Sequence, residues 1–381
     1  ITTNYLELIM KNLYWVGNRA SDIAYTCDEF KGYICLYGET NNINMFSNIP
    51  IRKNNSIIDD SSNEFYKSAI GKIVKNDDSA YFMFYNPLVA YKINSPYQQR
   101  FICLNDRDII RLLDDKIQCH SILNQIANFS PFITIYGEDI TYNNLKKVFG
   151  DNFKFVIQRS KSAAGLGTFI LDKDNFKSIK NKYIDANQIY LVSVYQEKSN
   201  TFNFHIIMDN KTTLFFPPSY SIMDCINGQM HYRGSSYIDT TKVIGSNNIN
   251  NAKIMIKNIT DFLRKFGYKG IVGFDFLSSM ESTFLLELNL RFQGSSNILN
   301  KMLKDAGLPS LSQLNQLAFM DNLPTLDMDK INTFYANIFS YNENETDIKL
   351  DYELIETFDD NLSNYTKFEH GAYINRKIYG K

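Results

Sequence analysis

Apolar and polar positions alternate most regularly between Ile271 and Ser296, a stretch that reads IVGFDFL, SSMES, TFLLELNLRFQGSS. Two runs rich in apolar and aromatic residues flank a short polar turn, the pattern of a β-hairpin. The second run has a period of two, which predicts Phe284, Leu286, Leu288 and Leu290 on one face and Leu285, Glu287, Asn289 and Arg291 on the other. In the first run Val272, Phe274 and Phe276 share a face, and Gly273, Asp275 and Leu277 share its opposite. Closing the hairpin brings Asp275 opposite the face that carries Glu287 and Asn289.

The remaining pattern predicts elements on both sides of this hairpin. Near the N-terminus, short apolar runs at 12–16, 32–37, 81–84 and 101–104 read as four strands, with helical spacers at 21–30, 62–74 and 87–92. That alternation predicts a small α/β lobe with a parallel sheet. The Val16-Gly17-Asn18 turn is not a dinucleotide-binding fingerprint. Asn105 is the expected N-cap of a helix that carries Ile109, Ile110, Leu112 and Leu113. Residues 153–171 read as a strand (FVIQ), a small-residue loop (SAAGLG) and a return strand (TFIL), and 188–208 as strand, bend, strand. Residues 212–238 read as a strand, the Pro217-Pro218 break and a polar stretch, and 245–251 as a polar loop. Ile254, Ile256, Ile259, Phe262 and Leu263 predict an amphipathic helix over 252–266. Helices follow at 298–306 and 311–320, and the aromatic runs TFYANIFSY and YINRKIYG predict C-terminal strands that finish the sheet or contact substrate.

Composition narrows the class. The 381 residues are 44% hydrophobic and 21% charged, with a net charge of −1, an ordinary globular profile with room for two or three packed lobes. So small a net charge gives no electrostatic footprint for nucleic acid. No run of about eighteen apolar residues is present, so no membrane partner is expected. The five cysteines lack CxxC or metal-ligand spacing and read as reduced thiols, which points to a cytoplasmic location. The chain opens at Ile1 without a signal-peptide pattern, so its natural start is expected to lie upstream.

The chemistry concentrates in the hairpin. Two carboxylates and an amide oxygen beside a guanidinium form a hard-oxygen site of the kind that suits Mg²⁺. Such a metal bridges phosphates, and Arg291 would neutralise charge that develops on transfer. The alternative is a solvated strand face on which Glu287 and Arg291 merely pair. Asp275 in an otherwise apolar strand weighs against that, since a lone acid is rarely buried without a partner. Upstream, the glycines of SAAGLG allow backbone N–H groups to approach phosphate oxygens closely.

GFDFL followed by LLELNLRFQGSS resembles the metal-binding hairpin of the ATP-grasp ligases, and the resemblance runs from about Leu104 to Leu303. It implies an α/β (α+β) chain in which two α+β lobes grip ATP, preceded by a small parallel-sheet α/β domain. The expected units are 1–104, 105–190, 191–303 and a C-terminal appendage over 304–381. The resemblance implies Asp275, Glu287 and Asn289 as metal ligands and Arg291 as the arginine that stabilises the transition state. It implies Lys116, in the Asp115-Lys116 pair, on an ATP phosphate, and Ala164 and Gly165 in the phosphate loop. Gln158 stands where the family usually has a lysine, with Arg159 or Lys161 as substitutes for the charge. Ser193, Val194, Tyr195 and Gln196 fall around the adenine, largely through backbone groups, with Asn200 and Asn203 near ribose or phosphate. His205 reads as an ordinary histidine, and Tyr232, Arg233 and Gly234 as either acceptor-facing or solvated.

The implied cofactors are ATP and Mg²⁺ (or Mn²⁺). The implied reaction activates a carboxylate as an acyl phosphate and passes it to an amine or thiol, releasing ADP and phosphate. The acid is expected to be amino-acid-like, as in specialised metabolism, and the acceptor a small molecule or one borne by a carrier protein or peptide; a homodimer is compatible with this. Two other readings fit the same residues: a nucleotide-binding module without turnover, and a phosphotransferase that acts on an alcohol.

Overall fold

The computed structural model describes residues 12–37, 60–150, 154–162, 165, 167–280, 282–333, 335–339 and 373–377. At the N-terminal end β1 (Leu13–Arg19), β2 (Gly32–Tyr37) and β3 (Tyr81–Phe84) form a parallel sheet in the order β2-β1-β3. Helices α1 (Asp60–Asn76) and α2 (Pro87–Lys92) accompany it. Val16, Ile34, Tyr66, Ile70, Phe82 and Phe84 form the core between this sheet and α1. The start of α2 follows from its sequence: Asn86 accepts the Leu88 amide and Pro87 sits in the first turn, where its missing N–H costs nothing.

Two expectations fail in this region. The run at 101–104 is not a fourth strand; Phe101 makes a single bridge to Phe82, and Cys103, with a φ of 57°, turns the backbone out of extended geometry. The spacer at 21–30 is two short 3₁₀ turns, Ala20–Ile23 and Cys27–Glu29, rather than a helix.

The helical stretch from 105 to 123 breaks in two. Asn105 does not cap it, because its amide is committed to Lys269, accepting the backbone N–H at 2.8 Å and donating to the carbonyl at 2.7 Å. Asp106 caps α3 (Arg107–Asp114) instead, and Asp115 caps α4 (Lys116–Leu123) by accepting the amides of Ile117 and Gln118. Lys116 thereby becomes the first residue of a new helix.

A twelve-stranded sheet follows among the described residues. One block of it comprises β4 (Phe132–Tyr136), β5 (Phe155–Arg159), β6 (Thr168–Leu171) and β7 (Ile189–Val194). Helices α5 (Tyr142–Phe149) and α6 (Phe176–Tyr183) cover it through Leu145 and Ile179, which pack on Phe155, Ile157, Phe169 and Val192. The other block comprises β8 (Asn200–Met208), β9 (Thr213–Phe215), β10 (Ser219–Ile226), β11 (Gln229–Ser236), β12 (Gly270–Ser278) and β13 (Thr283–Asn289). The two blocks join where Gln229 of β11 pairs with Phe169 of β6 and the Ile170 amide donates to the Gly228 carbonyl at 2.7 Å.

The polar stretch expected after Pro218 is thus the β10–β11 hairpin. Its turn is Asn227-Gly228, both with positive φ (51° and 79°), as a two-residue hairpin turn requires. The C-terminal runs pair as β14 (Tyr335–Phe339) and β15 (Tyr373–Lys377), and β14 adds to β11, so they extend the sheet.

Helices α7 (Thr240–Ile244) and α8 (Ser246–Lys265) precede β12. Residues 246–251 are therefore helical, with Ile249 buried, and Ile254, expected on the apolar side, is 61% exposed. The buried stripe is Ile249, Ala252, Met255, Ile256, Ile259 and Leu263, a regular helical spacing that leaves Ile254, two residues from Ile256, on the opposite face. Helices α9 (Ser296–Asp305) and α10 (Leu311–Phe319) form as the pattern predicts. They return to the N-terminal sheet, where Leu299, Leu303, Leu311 and Leu314 share a core with Trp15, Tyr33 and Phe292. No described helix is long and apolar enough to cross a membrane.

Beneath β8 and β12 lies a phenylalanine cluster: Phe202 stacks on Phe276 at 5.4 Å between centroids, and Phe274 stacks on Phe276 at 6.2 Å. Phe276→Ala should cost about 3–5 kcal/mol in urea unfolding. Met280→Ala, at a side chain 78% exposed, should stay within about 0.5 kcal/mol of wild type.

Candidate functional site

Strands β8, β12 and β13 lie side by side, and their register decides the site. Asp275 pairs directly with Asn203 on one side and Glu287 on the other, while Gly273 pairs with His205 and Asn289. The pairing of β12 with β13 shifts between Asp275 and Phe276, so Leu286 is an extra residue, a β-bulge. The expected strict alternation therefore holds from Glu287 onward and inverts before it. Leu285, Leu288 and Leu290 join the core beneath, and Phe284 moves to the side of Leu277 and Asp275. Were the same residues paired in a regular ladder with no bulge, Leu286 would face Asp275, and Glu287 would face Phe274 inside the core.

Asp275 is held from two directions. Asn203 Nδ2 donates to its Oδ1 at 3.3 Å, and Asn289 Nδ2 donates to its Oδ2 at 2.7 Å. Glu287 Oε2 meets Lys116 Nζ at 2.5 Å. Lys116 belongs to the start of α4, yet its amide donates to Ser160 O at 2.8 Å and its Nζ to Ser162 O at 2.9 Å, in the segment after β5. The acid pair thus faces the seam between the two blocks of the large sheet. Arg291, half-buried, donates from Nη1 to its neighbour's carbonyl, Phe292 O, at 3.0 Å, and its charge bears on Glu287.

The two carboxylates are pushed apart in acidity. Burial raises the Asp275 carboxyl well above the usual carboxylate range; the adjacent Glu287 raises it further, against the pull of the Asn203 and Asn289 amides. Burial also pushes Glu287 up, but the charge of Lys116 outweighs it, with help from Arg291, and Glu287 is held below its ordinary value.

Below the acids is a buried polar layer that the sequence reading did not assign. Asn203 Nδ2 also donates to Gln293 Oε1 at 2.8 Å, Ser219 Oγ donates to Asn203 Oδ1 at 3.0 Å, and Ser295 lies within 3.4 Å of the same amide. The Gln293 side chain lies over Gly273, where a Cβ would sit 2.0 Å from Gln293 Cδ. Ser296 Oγ accepts the Gln293 amide and meets His205 Nε2 at 2.9 Å. The run Gln293-Gly294-Ser295-Ser296, which follows Phe292, was the available signal for this layer.

Likeness to solved structures bears on what this arrangement belongs to. No protein-family model matches the chain, and no curated protein matches its sequence. Solved structures do match. N5-carboxyaminoimidazole synthetase from Staphylococcus aureus complexed with ADP aligns at a TM-score of 0.61 and 11% identity, over 97% of this chain and 94% of that one. Biotin carboxylase from Campylobacter jejuni aligns at 0.61 and 12% identity, over 88% and 77%. The biotin carboxylase domain dimer of Hydrogenobacter thermophilus 2-oxoglutarate carboxylase, in complex with MgADP, ADP and bicarbonate, aligns at 0.58 and 11%, over 86% and 74%. The chain has the ATP-grasp fold.

Within the ATP-grasp fold the remaining expected positions distribute unevenly. Gly165 is described, with a φ of 76°, and packs against the β11 backbone, where a Cβ would come within 2.9 Å of Met230 O; Ala164 lies outside the described residues. Gln158 pairs across to Thr168 Oγ1 at 3.3 Å. Arg159 does not take the place of a lysine at the acids: it donates to Tyr183 O and covers the Phe169 ring. Ser193 and Val194 end β7, and Tyr195 and Gln196 lead out of it. The Val194 and Tyr195 amides are spent on Pro131 O and Lys154 O, and Gln196 Nε2 donates to Ser130 Oγ at 2.9 Å. Asn203, expected near ribose or phosphate, donates to Asp275 Oδ1. Arg233 is neither solvated nor free, since it pairs with Asp224 at 2.9 Å inside the β10–β11 hairpin.

The chemistry of the donor set fits a divalent cation. Asp275 and Glu287 supply two carboxylates, and Asn289, with its NH₂ spent on Asp275, retains an amide oxygen. Among the described residues no group of three or more His, Cys, Asp or Glu side chains could hold a metal, so phosphate or water oxygens must complete the coordination. Gly273→Ala should force the Gln293 side chain off the sheet and cost about 1–3 kcal/mol in urea unfolding. Adding Gln293→Ala to it should recover part of that loss, a non-additivity measurable in a double-mutant cycle.

Burial also fixes two histidines in the neutral form. His205 is pushed down to about 3 by burial, and His120, packed on Phe129 with Nδ1 at 2.8 Å from Lys116 O, is pushed down to about 4 for the same reason. The unfolded chain takes up protons near pH 6.5, where the folded chain does not. Stability should therefore be full above about pH 6.5 and fall with pH down to the folded values, by up to about 1.4 kcal/mol per pH unit for each histidine. His120→Gln should remove one such increment from urea-unfolding curves recorded between about pH 6.5 and 4.5.

Proposed function

We propose that the chain is an ATP-dependent ligase that activates a carboxylate as an acyl phosphate and joins it to an amine or thiol, releasing ADP and phosphate. The observation that carries this reading is the in-register Asp275–Glu287 pair, flanked by Asn289 and met by Lys116 from across the seam. The ligands in the solved complexes support it, since ADP, MgADP and a β,γ-ATP species occur in proteins of this shape. We take 105–190 and 191–303 as the two lobes that enclose the nucleotide, 1–104 as the preceding domain and 304–381 as the appendage.

On this reading Asp275, Glu287 and Asn289 hold Mg²⁺, or Mn²⁺ in its place. When bound, the metal neutralises phosphate charge and orients the terminal phosphate for transfer. Lys116 binds a phosphate, and the backbone around Ala164 and Gly165 lies against the phosphates, with Gln158 at the base of that loop. The linker Ser193–Gln196 borders the base, with Gln196 fixed by Ser130. Arg291 stabilises the transferring phosphoryl group and the acyl-phosphate oxygens by charge. Asn203 acts through Asp275, holding one carboxylate oxygen while Asn289 holds the other, so that the carboxylate keeps a fixed orientation toward the cation. No side chain forms a covalent intermediate; catalysis rests on position and charge. The acid is an amino-acid-like carboxylate, the acceptor a small amine or thiol.

Incubation with Mg–ATP, a panel of amino acids and hydroxylamine should yield ADP and a hydroxamate. Glu287→Gln should lower that ADP release by roughly a hundredfold or more with the fold retained by circular dichroism. ADP without hydroxamate would favour phosphoryl transfer to an alcohol, and nucleotide binding without ADP a module that has no turnover.

A further inference from the structure

Lys116 occupies ground that a metal would need. Its ammonium is 2.5 Å from Glu287 Oε2 and its side chain is only 6% exposed. It is anchored on the opposite side by Ser162 O at 2.9 Å, and the helix start that carries it is fixed by Asp115 and by the bond to Ser160 O. A divalent ion on Glu287 would share that oxygen with a buried positive charge at close range, in surroundings that screen poorly. The carboxylates offer such an ion no complete cage, as shown above. A polyphosphate changes both conditions, because it supplies the missing oxygens and gives the ammonium a more highly charged partner.

Resting on the nucleotide reading above, we infer that Lys116 is an internal counter-cation: it keeps the Asp275–Glu287 pair from loading a bare divalent metal, and a polyphosphate admits the metal by drawing the ammonium off Glu287. The lysine is poised for that exchange. It already bridges Glu287 and Ser162, in the segment after β5, and so stands between the two blocks of the sheet. The device imposes an order: the metal enters with the nucleotide rather than before it.

The test is Mn²⁺ titration of the full chain, followed by electron paramagnetic resonance and equilibrium dialysis, without nucleotide. Lys116→Gln should bind Mn²⁺ at least about tenfold more tightly than wild type, and Lys116→Arg, which keeps the charge, should behave as wild type. Adding a non-hydrolysable ATP analogue to wild type should bring protein-bound Mn²⁺ up with the analogue. If Lys116→Arg matches Lys116→Gln, charge is not the cause and the inference fails. Tight Mn²⁺ binding by wild-type protein alone overturns it whether or not the variants fold, while leaving the metal site itself standing. Absence of bound Mn²⁺ in every protein, with and without the analogue, overturns the metal site and this inference together.

Discussion

Two carboxylates set side by side in a poorly solvated sheet repel one another, and neither keeps its charge unless a cation, a proton or donated hydrogen bonds intervene. Asp275 and Glu287 stand in that relation, directly opposite across β12 and β13. The surroundings are built to meet the constraint. Asn203 and Asn289 turn their NH₂ groups to Asp275, and Lys116 and Arg291 supply positive charge to Glu287. The result is an asymmetric pair, one acid raised and the other lowered from the ordinary carboxylate range.

The supports are of two kinds. Below, Phe202, Phe204, Phe274 and Phe276 fix the three strands from the core side, and Gly273 leaves room for Gln293 to lie flat and hold Asn203. Behind, Trp15 packs edge-on against Phe292 at 5.0 Å, which ties the N-terminal sheet to the segment just after Arg291. Across the seam the ties are fewer: the short pairing of β6 with β11, and the lysine itself. The acids therefore sit on the rigid side, and the groups expected to meet phosphate sit on the side joined by few bonds.

Much of this was legible where a local pattern and a tertiary environment agree. The β12–β13 hairpin announced itself by its period of two, and Asp275 by being the lone acid of an apolar strand. The β10–β11 hairpin stayed hidden because its strands carry Ser, Asp, Gln, His and Arg in place of an apolar face; Asn227-Gly228 was the readable cue. Asn105 and Asp106 are both good caps, and the choice between them was made by Lys269, far along the chain. Ile254 looked like a core position because it is apolar, yet a residue two places from the buried Ile256 falls on the far side of a helix. The contact between Lys116 and Glu287 has no local signature at all; only the resemblance singled out the lysine, and it did so for a phosphate rather than for an acid. The ATP-grasp architecture was thus readable, while the polar layer built from Gln293, Ser295, Ser296, Ser219 and His205 was not, since its members are ordinary polar residues until the strands bring them together.

The bulge at Leu286 has an evolutionary consequence. A lineage can change almost any side chain at that position and keep both faces of β13 in order, because the backbone rather than the leucine sets the phase. Loss of that codon would also leave the register intact, with Leu285 opposite Phe276 and Glu287 opposite Asp275 in an unbroken ladder. Loss of the Leu288 codon is different: it would swing Asn289 toward the phenylalanines and Leu290 toward the face of the acids in one event. Descendants of this chain that have lost the shared face of Asp275, Glu287 and Asn289 should therefore be sought among in-frame deletions after Glu287 as well as among replacements of the acids.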